Sequence, residues 1–446
     1  MRPSPLLDRA GAVPNAVDDP DELVPAHYGD PLREQGLLEA GAAVAALARD
    51  VVAVTGPDRL SWLTTLSSQV LTDLVPGDGG VETLVLDAHG RITHALAALD
   101  DAETLWLLTE AGRGPALAEH LERMRFMLRV EVAVRDDVAA LAAVGEGLER
   151  LEAAARTVPR AAARGARPAP DTEAPDPTAA AHPAPATACL GVWRDPWPGV
   201  ARGGTSYDVG LTRSHPGASW RAGLVLVPAG EAGAVVDAFL AAAPGRGPAG
   251  SLAWEALRVE AGRPRWAREV DERAIPHELD WLRTAVHLTK GCYPGQETVA
   301  RTLNLGRPPR RLTILQLDGL AGRLPAPGAV VRLGERAVGT VTSVTRHHDY
   351  GPMALALLRR GVPADAALTA DITDAVGIAD AAEGSESSDA AEDPEGPAGD
   401  DAWSRRGAAA IARVDAVQEP LVSPEGKAQA SPAQRPGAGL RRSLLH

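Results

Sequence analysis

Cys292 stands in the segment TKGCYPGQETVART, flanked by Lys290 and Gly291 on one side and by Tyr293, Pro294, Gly295, Gln296 and Glu297 on the other. The two glycines permit a tight backbone path and Pro294 suits a helix's first turn, so the segment predicts a turn that runs into a short helix, GQETVAR. A thiol just before a helix meets unpaired amide N–H groups and the positive end of the helix dipole. With Lys290 nearby, both influences favour the thiolate, the form that does nucleophilic, redox or metal chemistry. A lone cysteine in a glycine-rich turn also reads as a small buried apolar residue; the glycines, Lys290 and the Gln296–Glu297 pair shift the balance toward chemistry.

The other groups that could do chemistry are sparse. Cys189, the second cysteine, closes a low-complexity stretch, so no disulfide framework is indicated and a reducing cytoplasm is the expected setting. His277, His287, His347 and His348 lack helix-face spacing with an adjacent carboxylate or cysteine, and no metal site is expected. A cysteine hydrolase would need a base and an orienting carboxylate; His287 with Glu297 or Asp280 are the nearby candidates, and their spacing does not compel the reading. No glycine-rich nucleotide loop is present, since the pair Gly145 and Gly147 lacks the rest of such a pattern. A net charge of −14 and a pI near 5.3 argue against direct nucleic-acid binding, which requires clustered Lys and Arg. No run of about 18 apolar residues is available to span a membrane, and the first residues lack the pattern of a signal peptide.

Elements must hold the cysteine segment in place. A chain of 446 residues exceeds what one core ordinarily serves, and with aromatics at only 3% the folded part should be shorter than the chain. Residues 1–30, rich in Pro and Asp, read as a flexible arm. Residues 31–151 read as a first α+β domain: helix-forming LREQGLLEAGAAVAAL, strand RDVVAVT, helix SWLTTLSSQV, short antiparallel strands, then the helix of GPALAEHLERM. The Ala/Pro run over 152–188 reads as a disordered insertion. Residues 189–305 form a second α+β domain with helices EAGAVVDAFLAAA and SLAWEALRVEAG and the cysteine segment. Residues 306–375 contain short β runs with turns at each junction, a small barrel or sandwich, and 376–446 read as an acidic disordered tail.

The run from Lys290 to Glu297, with Ala300 and Arg301, closely resembles the signature of the YgfZ family, Lys-Gly-Cys-Tyr-x-Gly-Gln-Glu followed by Ala-Arg. The resemblance extends back through LRVEAGRPRWAREVDERAIPHELDWL, forward through RRLTILQLDG and RAVGTVTS, and reaches VTGPDRLSWL, covering most of residues 31–372. It implies an α+β, three-domain clover-leaf fold like that of the glycine-cleavage T-protein, with tetrahydrofolate at a central hole and a C-terminal β-barrel. It also implies a role in making or maintaining iron–sulfur clusters in client enzymes, including tRNA-modifying thiotransferases, with Cys292 essential.

Transferred residue by residue, the resemblance makes Cys292 and Lys290 the reactive pair. Glu260 becomes the carboxylate for the pterin's amidine-like edge, and Arg258 and Arg301 the cations for folate carboxylates, a geometry that suits carboxylate and guanidinium groups. Tyr207, Asp208, Tyr293 and Gln296 complete the expected folate contacts. The expected partners are folate itself and iron–sulfur client or carrier proteins, because one thiolate cannot hold a cluster unaided. The sequence departs from the aminomethyl-transferring enzyme at its catalytic aspartate: in LSSQVLTDLVPG the position falls at or next to Gln69, and Asp73 is in register only after a shift of about one helical turn. Folate-dependent aminomethyl transfer is therefore the second expectation.

Overall fold

The computed structural model of the chain describes residues 2–160, 187–304, 306–373 and 410–433. Its strands form two five-stranded sheets, a closed six-stranded barrel and a short N-terminal pair. The first sheet orders Val81–Leu86, Ile92–Asp100, Thr104–Glu110, Arg49–Thr55 and Glu131–Val134, all antiparallel. Its apolar residues follow the pleat: along Ile92–Asp100 the first six residues alternate between buried and half-buried, as a strand with one face on a core requires. Helices Arg59–Leu66 and Gly114–Met124 cover it, the latter burying Leu117 and Leu121 one turn apart.

The second sheet orders Gly191–Arg194, Ala222–Pro228, Val138–Val144, Ala43–Leu47 and Gly247–Ala249. Two of its strands come from the segment assigned by sequence to the first domain, so the sheets interleave along the chain. The expected helix LREQGLLEAGAAVAAL also divides. Asp30 caps helix Pro31–Glu39 by accepting from the amides of Leu32 and Arg33, both at 3.1 Å, and AVAAL becomes a strand buried at every residue. A run buried on both faces has no period, so alanine's helix propensity misleads there.

The N-terminal arm is packed. Leu6 and Val24 are buried, and Asn15 donates to the carbonyls of Asp21 and Val24 and to Ser251 Oγ. Its polar composition is accommodated because distant residues supply partners, as Arg265 does for Asp21 at 2.7 Å.

The barrel runs Arg310–Leu317, Gly351–Arg359, Arg336–His347, Val330–Leu333, Leu368–Ile372 and Ala412–Pro420. Its last strand lies in the stretch read as tail. Val414, Ala416 and Gln418 point inward on alternate residues, and the strand closes the barrel between Arg310–Leu317 and Leu368–Ile372. The chain then returns to the second domain, where Ser423 N donates to Tyr207 O at 2.7 Å. The expected insertion begins late, since helix Glu146–Thr157 continues into it; residues 161–186 and the rest of the acidic stretch lie outside the described residues. Among the described residues no helix is long and apolar enough to cross a membrane.

Candidate functional site

The cysteine segment turns at Gly295 and enters its helix at Gln296, so Pro294 lies before the helix's first turn and Cys292 four residues ahead of it. Gly295 takes φ +79°, and a Cβ there would lie 2.6 Å from Asp87 O, so only glycine lets the loop seat against the hairpin turn at Asp87–Gly90. The helix begins at Gln296 and runs to Asn304. His277 Nε2 meets Val299 O at 3.0 Å and so fastens this helix to the preceding segment; burial holds the imidazole neutral, pushing it down to about 4. The Cys292 thiol is exposed, and among the described residues no hydrogen bond or ion pair engages it.

Lys290 corrects one expectation. Its ammonium donates to the carbonyls of Thr64 and Ser67 at the end of helix Arg59–Leu66 and lies 4.8 Å from the centre of the Tyr293 ring. Unpaired carbonyls at the negative end of a helix attract an ammonium more strongly than an open loop does, so Lys290 is spent on structure. Burial pushes its amine down to about 8, and the buried Tyr293 phenol up to about 12.

Trp281, eleven residues before Cys292, lines a cavity of about 90 Å³ between the two sheets. Five tryptophans line it: Trp193, Trp220, Trp254, Trp266 and Trp281. Glu82 stands among them, accepting from Trp281 Nε1 at 2.9 Å and from Thr284 Oγ1, and pairing with Arg263 at 2.7 Å. Asp195 takes the other side of Arg263 at 2.9 Å and accepts from Trp220 Nε1 at 2.9 Å. Burial works against the Arg263 charge, but Asp195 and Glu82 together hold it above its ordinary range. Arg265 pairs with Asp21 and Glu110 on the same wall, and the Arg113 guanidinium lies 4.1 Å over the Trp266 ring. Two buried donors facing this space lack a partner, Arg263 Nη1 and Trp266 Nε1.

The indoles and the two unpartnered donors, Arg263 Nη1 and Trp266 Nε1, suit a flat heterocycle such as a pterin that stacks on indole and offers acceptors, while Glu82 is already engaged by Trp281, Thr284 and Arg263. The space is below the roughly 300 Å³ of ordinary ligand pockets, so entry requires a wall side chain to swing; Trp266, half-buried, is the least confined of the five.

The sequence-predicted contacts scatter around this cavity. Arg258 lines it but is consumed by Glu255 at 2.8 Å, Glu269 at 3.1 Å and Ser343, so it serves as a buried strut rather than a free cation. Glu260 does not line it; its carboxylate lies 3.2 Å from His347 Nε2, toward the barrel. Tyr207 is fully buried, held by Asp280 and the C-terminal segment, while Asp208 lines a second cavity of about 340 Å³ against barrel residues 417–421. Gln296 is half-buried and Arg301 exposed on the helix that follows Cys292. Gln69 is buried with its amide on Thr284 O at 3.2 Å, and Asp73 is exposed in a surface pair with Arg202. Glu82, Asp195, Arg263 and the tryptophans were missed. Their signal was present in the composition: nine Trp against two Phe, in a chain poor in aromatics.

Residues 310–381 match the family described as the CAF17 C-terminal beta-barrel domain. A putative chloroplastic transferase of Arabidopsis thaliana is 38% identical over 103 residues, covering 23% of either chain. The tRNA-modifying protein YgfZ of Edwardsiella ictaluri is 35% identical over 125 residues, 27% of this chain and 37% of the relative; that of Yersinia pestis is 37% identical over 123 residues, with 26% and 37% covered. The matched segments thus span between 23% and 37% of these relatives' length. The crystal structure of glycine cleavage system aminomethyltransferase T from Bartonella henselae superposes with a TM-score of 0.59 at 18% identity, over 82% of this chain and 92% of that one. Together with the two sheets and the closed barrel, these likenesses give the chain a YgfZ-type fold on the plan of the glycine-cleavage T-protein.

Proposed function

We propose that the chain binds tetrahydrofolate at the tryptophan-lined cavity and acts in assembly or maintenance of iron–sulfur clusters in client enzymes, including thiotransferases that modify tRNA, through Cys292. The observation that carries the reading is one continuous segment with two ends. Trp281 and Thr284 hold the cavity's carboxylate, and a few residues on, the same segment presents an exposed thiol. The relatives named as tRNA-modifying proteins support the biological setting.

Arg263 and the indoles of Trp254, Trp266 and Trp281 would hold the pterin, with Glu82 anchoring Arg263 and Trp281 from behind. When bound, tetrahydrofolate supplies a reduced pterin and a carrier for one-carbon units. The chain's own residues orient the ring and exclude water, and Arg263 and Trp281 hold Glu82 in place, although burial raises that carboxyl above its ordinary range. The cluster is cargo. With one exposed thiol, the chain contributes one ligand or one nucleophile, and the client or a small thiol contributes the others. Aminomethyl transfer finds less support, since Gln69 occupies the buried position and Asp73 faces solvent.

Two measurements test the proposal. Tetrahydrofolate titration should show binding to the wild type that Glu82→Gln and Trp281→Ala weaken. Cys292→Ala should retain folate binding yet fail to sustain thiotransferase activity in cells lacking the native chain. Full cellular activity of Cys292→Ala, or folate binding indifferent to both cavity substitutions, would overturn it.

A further inference from the structure

Phe126 and Met127 stand at the tip of the turn that follows helix Gly114–Met124, 85% and 88% exposed. The chain holds two phenylalanines, and the other, Phe239, is fully buried. Met124 and Leu128 flank the pair and are exposed as well. The turn is fixed in shape. Leu128 N donates to Arg125 O at 3.0 Å, and Met127 takes φ +54°, a left-handed conformation that long side chains rarely adopt and that persists only where surrounding contacts impose it. Arg129 fastens the turn to Asp58 at 2.7 Å, and Gly56 lies so close that a Cβ there would stand 2.1 Å from Arg129 O. Asp58 precedes helix Arg59–Leu66, and the carbonyls of Thr64 and Ser67 at that helix's other end accept from Lys290. The apolar turn and the cysteine loop therefore flank one helix of eight residues, a length of about 12 Å.

We propose that Phe126 and Met127 are the docking point for the iron–sulfur client protein that shares a cluster with Cys292. The inference rests on the proposed role of Cys292, since one thiolate cannot hold a cluster unaided and a client that completes it must come within bonding distance of the thiol. A protein partner covers about 800 Å² on each side, a patch roughly 30 Å across, so one seated over the cysteine loop also reaches the turn at the far end of the helix. Phenylalanine and methionine are enriched in interfaces, and methionine adapts to differing partner surfaces. The arginines around the turn are already neutralised, Arg123 by Glu119 at 2.8 Å, Arg125 by Glu122 at 3.4 Å and Arg129 by Asp58. The turn thus offers apolar contact without free cations, which fits a pocket on a protein and not an anionic lipid surface.

The test uses the full chain with a purified, cluster-bearing thiotransferase, and in cells lacking the native chain. The double variant Phe126→Asp, Met127→Ser should weaken binding to the thiotransferase by about tenfold or more and lower tRNA thiolation in the cells, while Phe126→Leu retains both. Circular dichroism and the rate of Cys292 alkylation by iodoacetamide should stay at wild-type values, since both positions are exposed. With Phe126 replaced by p-benzoylphenylalanine, irradiation should give a covalent adduct with the thiotransferase. Undiminished binding and thiolation by the double variant, where Cys292→Ala has lost thiolation, overturns the docking point and leaves the role of Cys292 standing; full thiolation by Cys292→Ala removes both. A wild-type dimer in sedimentation that the double variant dissolves, or binding to anionic vesicles that it abolishes, gives the turn a different occupant and equally overturns the proposal.

Discussion

The Lys290 ammonium stands over the Tyr293 ring at 4.8 Å and donates to the carbonyls of Thr64 and Ser67, which makes it a clamp between the cysteine loop and the helix Arg59–Leu66. Lys290→Met leaves two carbonyls without their charged donor and should destabilise the fold by about 1–3 kcal/mol, read from denaturant midpoints. Alkylation of Cys292 by iodoacetamide at constant pH should change little. A loss of rate on the order of tenfold would instead mean that the lysine activates the thiol.

Arg263 is the hinge of the cavity's charge balance. Its side chain is 8% exposed and stands between Glu82 and Asp195. Removing it in Arg263→Met strands two buried carboxylates, and breaking such a pair costs about 3–5 kcal/mol. A second change, Glu82→Gln, should recover part of that loss. Urea unfolding of both single variants and the double variant measures the coupling, and strict additivity would contradict the ion-pair account.

How much of this was legible in the sequence depends on range. The turn at Gly295, the start of the Gln296 helix and the strands of the barrel's first five runs follow from local residue types. The strand at Ala43–Leu47 did not, because burial on both faces erases the period that separates strand from helix. Nor did Arg258. The resemblance makes it a cation for folate carboxylates, whereas its burial is set by Glu269 and Ser343, which the fold brings from elsewhere. The pairing of Glu39 with His348 is likewise invisible to spacing, since it joins residues 309 positions apart.

His277 makes the cysteine helix sensitive to acid. Burial holds its folded value near 4, against about 6.5 unfolded, so the neutral form is favoured by the fold. Above pH 6.5 neither state takes a proton there. As pH falls from 6.5 toward 4, the unfolded chain protonates and the folded one does not, and stability drops by up to about 3 kcal/mol before levelling off. His94, pushed to about 4 chiefly by burial, adds to the same slope. The difference in unfolding free energy between wild type and His277→Gln should therefore shrink as pH is lowered through this window; a difference independent of pH would rule out the titration.

The barrel's last strand yields the sharpest contrast. Ala412–Pro420 pairs with Arg310–Leu317 on one side and Leu368–Ile372 on the other, and the segment beyond it bonds to the carbonyls of Ser206 and Tyr207. Ending the chain after residue 373 opens both edges and uncovers Leu315, Leu317 and Ile372, so the truncated protein should aggregate and bind a hydrophobic dye. Ile372 and Ala412 lie directly opposite each other, so their connection can be short. Replacing residues 376–408 with a brief Gly/Ser linker should preserve the Tm, since shortening a loop whose ends already meet carries little entropic penalty. If the truncated chain instead melts cooperatively at the wild-type temperature, the strand is dispensable and the barrel closes without it.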